Sequence, residues 1–303
     1  MTLYIARRII SLFLIAMAIV YFGYLGMHMI DNWEGEEPGY HLADDARLAA
    51  TDALAFYGDL LSADLGEAPT VSGPRPVRDI LRESYGNSMG LLAMALGVAT
   101  VVGLLLGTLA ALSRHGRREY AMLLGTIIGV SAPSFLIALL LQQAGIMYTQ
   151  SFGNRLVSMG GYAWDFKHLA MPLLVLAARP IAYLTRTAFL SLKRIMDEDY
   201  IRTAFAKGLT RGRVIFTHAL RNFAVPFLTA VGVSLRFSLS TLPVVEFIFA
   251  WPGLGLRILE AIRNRVPILV VTFALAFGMT LQLVNLFLDI TYTLIDPRVR
   301  ERE

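Results

Sequence analysis

Long apolar runs alternate with short polar segments along this chain, and the runs set the fold. Six stretches reach the ~20 mainly apolar residues that a helix needs to cross a bilayer: 9–30, 84–112, 120–148, 169–190, 223–249 and 267–290. Inside lipid every backbone polar group must be bonded within its own segment, so each stretch is predicted to be helical. The predicted fold class is all-α: a polytopic membrane helical bundle with six transmembrane helices, forming one domain over residues 1–303. The basic-then-apolar start, Met1–Val20, is followed by no small-residue cleavage site and reads as a retained first span. Gly103-x-x-x-Gly107 and Gly125-x-x-x-Gly129 place small residues one helical turn apart, which predicts close helix–helix approach.

Composition agrees with the pattern. Hydrophobic residues make up 56% of the 303 and charged residues only 17%, where a soluble domain carries about 25% charged. There are no cysteines, which excludes a disulfide framework, a thiolate metal site and a Cys nucleophile. The five histidines show no metal-ligand spacing. No His-Glu-x-x-His or Gly-x-Ser-x-Gly pattern occurs, and no Ser/His/Asp set can be argued. No catalytic residue, metal site or nucleic-acid interface is therefore assigned.

The distribution of charge sets the orientation. Arg7 and Arg8 precede the first span; Arg114, Arg117 and Arg118 lie between the second and third; Arg298, Arg300 and Arg302 follow the sixth. From Arg186 to Arg221 there are eight Lys/Arg against three acids. All these segments fall on one side, predicted to be cytoplasmic, with both termini inside. The 31–83 segment on the other side has twelve acids against four arginines. It reads as a solvated, partly helical cap, with helical character over 43–61, or as a docking surface for a basic partner.

The richest segment is the predicted cytoplasmic loop 197–226, DEDYIRTAFAKGLTRGRVIFTHALRNFAVP. Asp197 suits a helix N-cap, and Glu198 and Asp199 suit the N-terminal end of the dipole. Ile201, Ala204, Phe205 and Gly208 recur at i, i+3, i+4 and i+7 and share a face. Gly208 suits a left-handed helix end. Thr210 can cap a second helix through Val214, Ile215 and His218. On physics alone two readings stay open: an amphipathic hairpin lying on anionic headgroups, or a knob docking into a groove of a cytosolic partner.

The run Tyr200-Ile201-Arg202-Thr203-Ala204-Phe205-Ala206-Lys207-Gly208-Leu209 resembles the coupling loop of ABC-importer permeases, in the dipeptide/oligopeptide/nickel branch. His218-Ala219-Leu220-Arg221-Asn222 followed by Pro226 is similar to the same region. So are 57–77, Ser131-Ala132-Pro133-Ser134-Phe135, the Val245–Gly255 run through Trp251-Pro252-Gly253, and Asn285, Asp289, Tyr292 and Asp296-Pro297-Arg298. Departures are Phe205, where the branch tends to carry Arg, Asp31–Pro38 in place of a Pro-Gly-Asp element, and Arg265-Val266 in place of Arg-Asp.

The resemblance implies a permease subunit of the bacterial inner membrane, half of a binding-protein-dependent import path, with peptides as the leading cargo. It implies a coupling helix between spans four and five made by Tyr200, Ile201, Ala204, Phe205, Lys207, Gly208 and Leu209, with Ile201 and Phe205 filling an apolar groove of the partner. It implies two cytosolic ATPase subunits as separate chains, because this sequence has no Gly-x4-Gly-Lys-Ser/Thr run. ATP and Mg2+ would sit in those partners and no cofactor in this chain. A second, different permease and an extracytoplasmic substrate-binding protein complete the implied assembly. Glu246 with Pro252, Gly253 and Gly255 would form an external turn at the pore mouth, or a plain span-ending turn.

Arg236, near the middle of the fifth span, is costly in lipid and is expected to face protein or water. It reads either as a pathway residue attracting a substrate carboxylate or as half of a structural ion pair. Arg179 beside Pro180 poses the same choice. Gln142 and Gln143 read as interhelical hydrogen-bonders, with Gln142 also a pathway candidate. The rival function is a secondary transporter or channel not driven by ATP, which predicts inverted repeats and broken polar helices. An intramembrane hydrolase would need a nucleophile–base pair or metal cluster in the spans.

Overall fold

The computed structural model describes residues 2–33, 42–70, 73–113 and 116–295. Helices dominate: α1 (Thr2–Trp33), α2 (Leu42–Leu61), α3 (Val77–Ala111), α4 (Gly116–Ser131), α5 (Ser134–Phe152), α6 (Phe166–Met196), α7 (Asp199–Ala206), α8 (Arg211–Val214), α9 (Leu220–Ile248), α10 (Leu254–Arg263) and α11 (Pro267–Ile295). Among the described residues, six helical segments are long and apolar enough to cross a membrane. Arg114, Arg298, Arg300, Arg302 and the Asp296-Pro297-Arg298 run lie outside the described residues, as does most of Asp31–Pro38.

The third apolar run is not one helix. It is broken at Ala132–Pro133 into α4 and α5, because proline has no N–H to donate and disfavours helical geometry in the residue before it. The Ser131-Ala132-Pro133-Ser134 sequence is thus a break inside the predicted span 120–148.

Two compact units divide the chain: Met1–Gly90 with Ala250–Leu286, and Leu91–Phe249 with Phe287–Glu303. In the first, α2 runs antiparallel along α1. Asp45 pairs with Asn32, His28 lies 2.8 Å from Asp52, and Phe56 meets Tyr24 edge-on at 6.3 Å. Ala49, Ala53 and Phe56 are buried with Val20 and Val271, so one face of the acidic segment's helix is core rather than solvated surface. A two-residue hairpin, β1 (Glu67–Ala68) antiparallel to β2 (Arg75–Pro76), leads into α3. The unpredicted α10 packs Leu254 and Ala261 against Met27, Val77, Ile80 and Phe273.

The core of the second unit is α6 packed on α9, with α4 and α5 against α6. Asp165 caps α6 by accepting the His168 N–H at 2.9 Å. That backbone bond, then the His168 ring, holds its carboxyl below the ordinary value. The small-residue signals separate here. A Cβ at Gly103 would stand 2.6 Å from Leu184 Cβ, and one at Gly107 2.5 Å from Ala188 Cβ and 2.6 Å from the Thr185 carbonyl oxygen. Gly129 closes on Ala182 at 2.8 Å, but Gly125 has nothing within 4 Å.

Candidate functional site

The segment between α6 and α9 is built by backbone chemistry. Asp197 closes α6 rather than opening the next helix: its N–H bonds to the Arg194 carbonyl at 3.1 Å. The N-cap of α7 is Glu198, extended at φ −70°, ψ 147°, whose carbonyl accepts from Ile201 and Arg202. No side chain caps it, so Asp197 is corrected as the cap. Asp199 in the first turn suits the dipole.

The C-terminus of α7 is a Schellman turn. The Gly208 N–H bonds to Phe205 O at 2.9 Å and the Leu209 N–H to Ala204 O at 3.3 Å. Gly208 sits at φ +79°, the left-handed region, with open space where a Cβ would be. The need for glycine here is conformational, not steric.

Thr210 occupies the cap place of α8 without a side-chain bond. After this single turn the chain widens into a π-helical turn, Ile215–Ala219, before α9. An inserted residue of this kind is uncommon and concentrates at functional positions. Two polar straps hold the segment: Arg211 Nη2 donates to the Leu112 carbonyl just past α3 at 3.0 Å, and Asn222 Nδ2 donates to Tyr200 Oη at 2.8 Å.

Burial sorts the predicted docking residues. Ile201 is fully buried and Ala204 nearly so; Val214, Ile215 and Ala219 are also buried. Ile201 therefore fills this chain's own core, and the expectation that it fills a partner's groove is corrected. Phe205 is 40% exposed, Tyr200 is exposed, and so are Lys207 and Gly208, with Leu209 half-buried. Phe216, on the π turn, is 77% exposed. It lies off the face that α-helical spacing picks out through Val214, Ile215 and His218. The outward surface is thus Phe205 and Phe216 with Arg202, Lys207, Arg211 and Arg213 exposed alongside.

The Trp-Pro-Gly turn after α9 is strapped to α3. Trp251, fully buried, donates its Nε1–H to Asn87 O at 3.1 Å; Asn87 Nδ2 donates to Pro252 O at 3.0 Å; the Leu254 N–H reaches Ser88 Oγ at 2.8 Å. Gly253 and Gly255 are buried and Pro252 half-buried. Glu246 is not in that turn: it is a fully buried carboxylate inside α9.

Gln142 is committed to structure. Its Nε2 donates to Met159 O at 2.7 Å and to Ile248 O, at the end of α9, at 3.1 Å, as expected of a hydrogen-bonder between helices. Arg236 and Arg179 are both exposed. Arg179 lies over the Phe237 ring at 5.1 Å, and Tyr183 meets that ring edge-on at 5.5 Å. Among the described residues no cluster of His, Asp or Glu is suited to a metal.

Among the described residues, six helical segments of bilayer-crossing length and apolarity mark a multi-pass membrane protein. The chain belongs to the family described as binding-protein-dependent transport system inner membrane component, which it matches over residues 103–301. It is 32% identical to the dipeptide transport system permease protein DppB of Bacillus subtilis over 266 residues, 87% of this chain and 82% of that one. It is 30% identical to the probable peptide ABC transporter permease protein y4tP of Sinorhizobium fredii, over 99% of this chain and all of that one. It is 31% identical to the di/tripeptide transport system permease protein DppB of Pseudomonas aeruginosa, over 82% and 80%.

Proposed function

We propose that this chain forms half of the translocation path of an ATP-driven peptide importer in a bacterial inner membrane. The cargo reading rests on relatives named for dipeptide, di/tripeptide and peptide transport. In this reading α7 and both termini face the cytoplasm. Two separate ATPase chains, which hold ATP and Mg2+, bind α7; a second, different permease supplies the other half; a binding protein delivers cargo from outside.

One observation carries the coupling role: α7 exposes Phe205 while Ile201 and Ala204 lock it to the chain, and Arg211 and Asn222 tie the segment to Leu112 and to α7. A helix so held moves as a lever. When the ATPase pair closes on ATP, displacement of α7 is passed to α9 directly and to the end of α3 through Arg211. Nucleotide then biases the pore between two states by its differential hold on α7.

Gly208→Val tests this. A β-branched residue is strained at φ +79°, so the turn reopens and α7 is misplaced. Membrane insertion is expected to stay normal while the ATPase chains no longer co-purify and uptake is lost. Normal complex yield with normal uptake in that variant would remove α7 as the docking element.

A further inference from the structure

Resting on the peptide-import reading, we infer that a small cavity between the α4/α5 break, α6 and α9 is a carboxylate subsite that reads the C-terminal end of the cargo. The cavity is about 190 Å³ and is lined by Ser131, Ser134 and Phe135 at the break, by Arg179 from α6 and by Thr241 from α9, among others.

Two independent features make it anion-seeking. First, Arg179 carries a guanidinium near the middle of α6, being the fourteenth residue of a helix that starts at Phe166 and has 31 residues. Among the described residues it has no ion-pair partner; its one neighbour of note is the Phe237 ring. A cation at that depth, with no counter-charge among the described residues, requires water or an anion beside it. Second, α5 begins at the cavity with no side-chain cap. Its first residues, Ser134 and Phe135, present the positive end of a helix dipole to the same space.

Size narrows the ligand. Pockets that enclose a whole drug-sized ligand run to about 300–1,000 Å³. A cavity of about 190 Å³ takes an end group and leaves the rest of a peptide outside. That division suits a carrier of many sequences: every free peptide ends in a carboxylate, whatever its side chains. Toward the end of α6 that leads into α7, exposed Arg186 and Arg194 follow Arg179 after about two and four turns. An anion leaving Arg179 therefore meets further cations in that direction.

The test uses the complete transporter in proteoliposomes with its binding protein. The probes are two mixtures of di- and tripeptides made only of Gly, Ala and Leu: one with free C-termini, where the terminus is the sole carboxylate, and one C-terminally amidated. The measured quantity is the ratio of free-acid to amide accumulation, read by mass spectrometry. Arg179→Gln is expected to lower that ratio about tenfold or more, the size of one lost charge-assisted hydrogen bond. Arg179→Lys is expected to keep most of it. Ser134→Ala, which leaves every charge in place and removes a hydroxyl that lines the cavity, is expected to lower the ratio a few-fold and decides the matter if Arg179→Gln does not assemble. A merely structural role for Arg179 lowers both mixtures alike and leaves the ratio unchanged; that result overturns the subsite. If the native transporter accumulates neither mixture, the peptide reading itself falls and the subsite with it. If it prefers free acids and the variants keep the same preference, only the subsite falls.

Discussion

Residues one turn apart on α7 have opposite duties. Ile201 is fully buried, whereas Phe205 is 40% exposed, although both sit on the apolar face that the i, i+3, i+4 spacing defines. Truncating Ile201 to Ala removes buried methylenes and leaves a cavity, so a loss of about 2–5 kcal/mol is expected. It should appear as a clear fall in the melting temperature of the purified subunit. Truncating Phe205 to Ala removes a side chain that rests partly on solvent, and folding stability is expected to move by less than about 1 kcal/mol. If Phe205 is the anchor in the ATPase groove, its loss weakens ATPase binding by about 2 kcal/mol, some thirtyfold. Titrating the ATPase chains onto the detergent-purified variants separates the two residues. An Ile201→Ala subunit that melts normally but binds weakly would reverse the assignment, as would a Phe205→Ala subunit that binds normally.

The helices show which signals in the sequence could be read and which could not. Hydrophobic runs report burial in lipid or protein, so the long helices were legible: α1, α3, α6, α9 and α11 cover almost all of the apolar stretches that announce them. Gly208 was legible because only a left-handed turn makes sense of glycine after an amphipathic octet. The break at Pro133 was written in the sequence as plainly, but the apolar count over 120–148 masked it. The π turn at Ile215–Ala219 was not legible, because one added residue changes the register without changing composition. The depth of Ile201 was hidden too: periodicity gives a face, not what covers that face. Small-residue spacing behaves likewise, since two glycine pairs look alike in sequence and differ in packing. Gly107→Val would drive a side chain into Ala188 and the Thr185 backbone, and a loss of about 1–3 kcal/mol is expected. Gly125→Ala meets nothing within 4 Å and is expected to be neutral or to stabilise by up to about 1 kcal/mol through helix propensity. Thermal melting in detergent checks both. Equal effects would mean that the contact of α3 with α6 is not formed as described.

At the scale of the molecule, the source of energy follows from what α7 is held for, and one feature of the structure suits either source. A span broken at Pro133, with the uncapped start of α5 beside Arg179, is the arrangement by which gradient-driven carriers hold an anionic group at mid-bilayer. A carrier of that kind needs no lever outside the membrane, however, and gives no reason for α7 to be held by a Schellman turn, a π turn and two polar straps. An importer driven by separate ATPases needs that lever and can use the broken span as well. The two sources predict different dependence on companions. Reconstituted alone, the chain is expected to accumulate no peptide under an imposed proton or sodium gradient. Reconstituted with the second permease, the ATPase chains and the binding protein, it is expected to accumulate peptide against a gradient. A protonophore should leave that uptake intact, and vanadate, which traps the ATPases after hydrolysis, should abolish it. Uptake by the isolated chain that collapses with the protonophore would instead make the broken span the engine and α7 an interfacial ornament. The family match argues for the first outcome, and so does a lever that exposes Phe205, with Phe216 on the π turn, outside the spans.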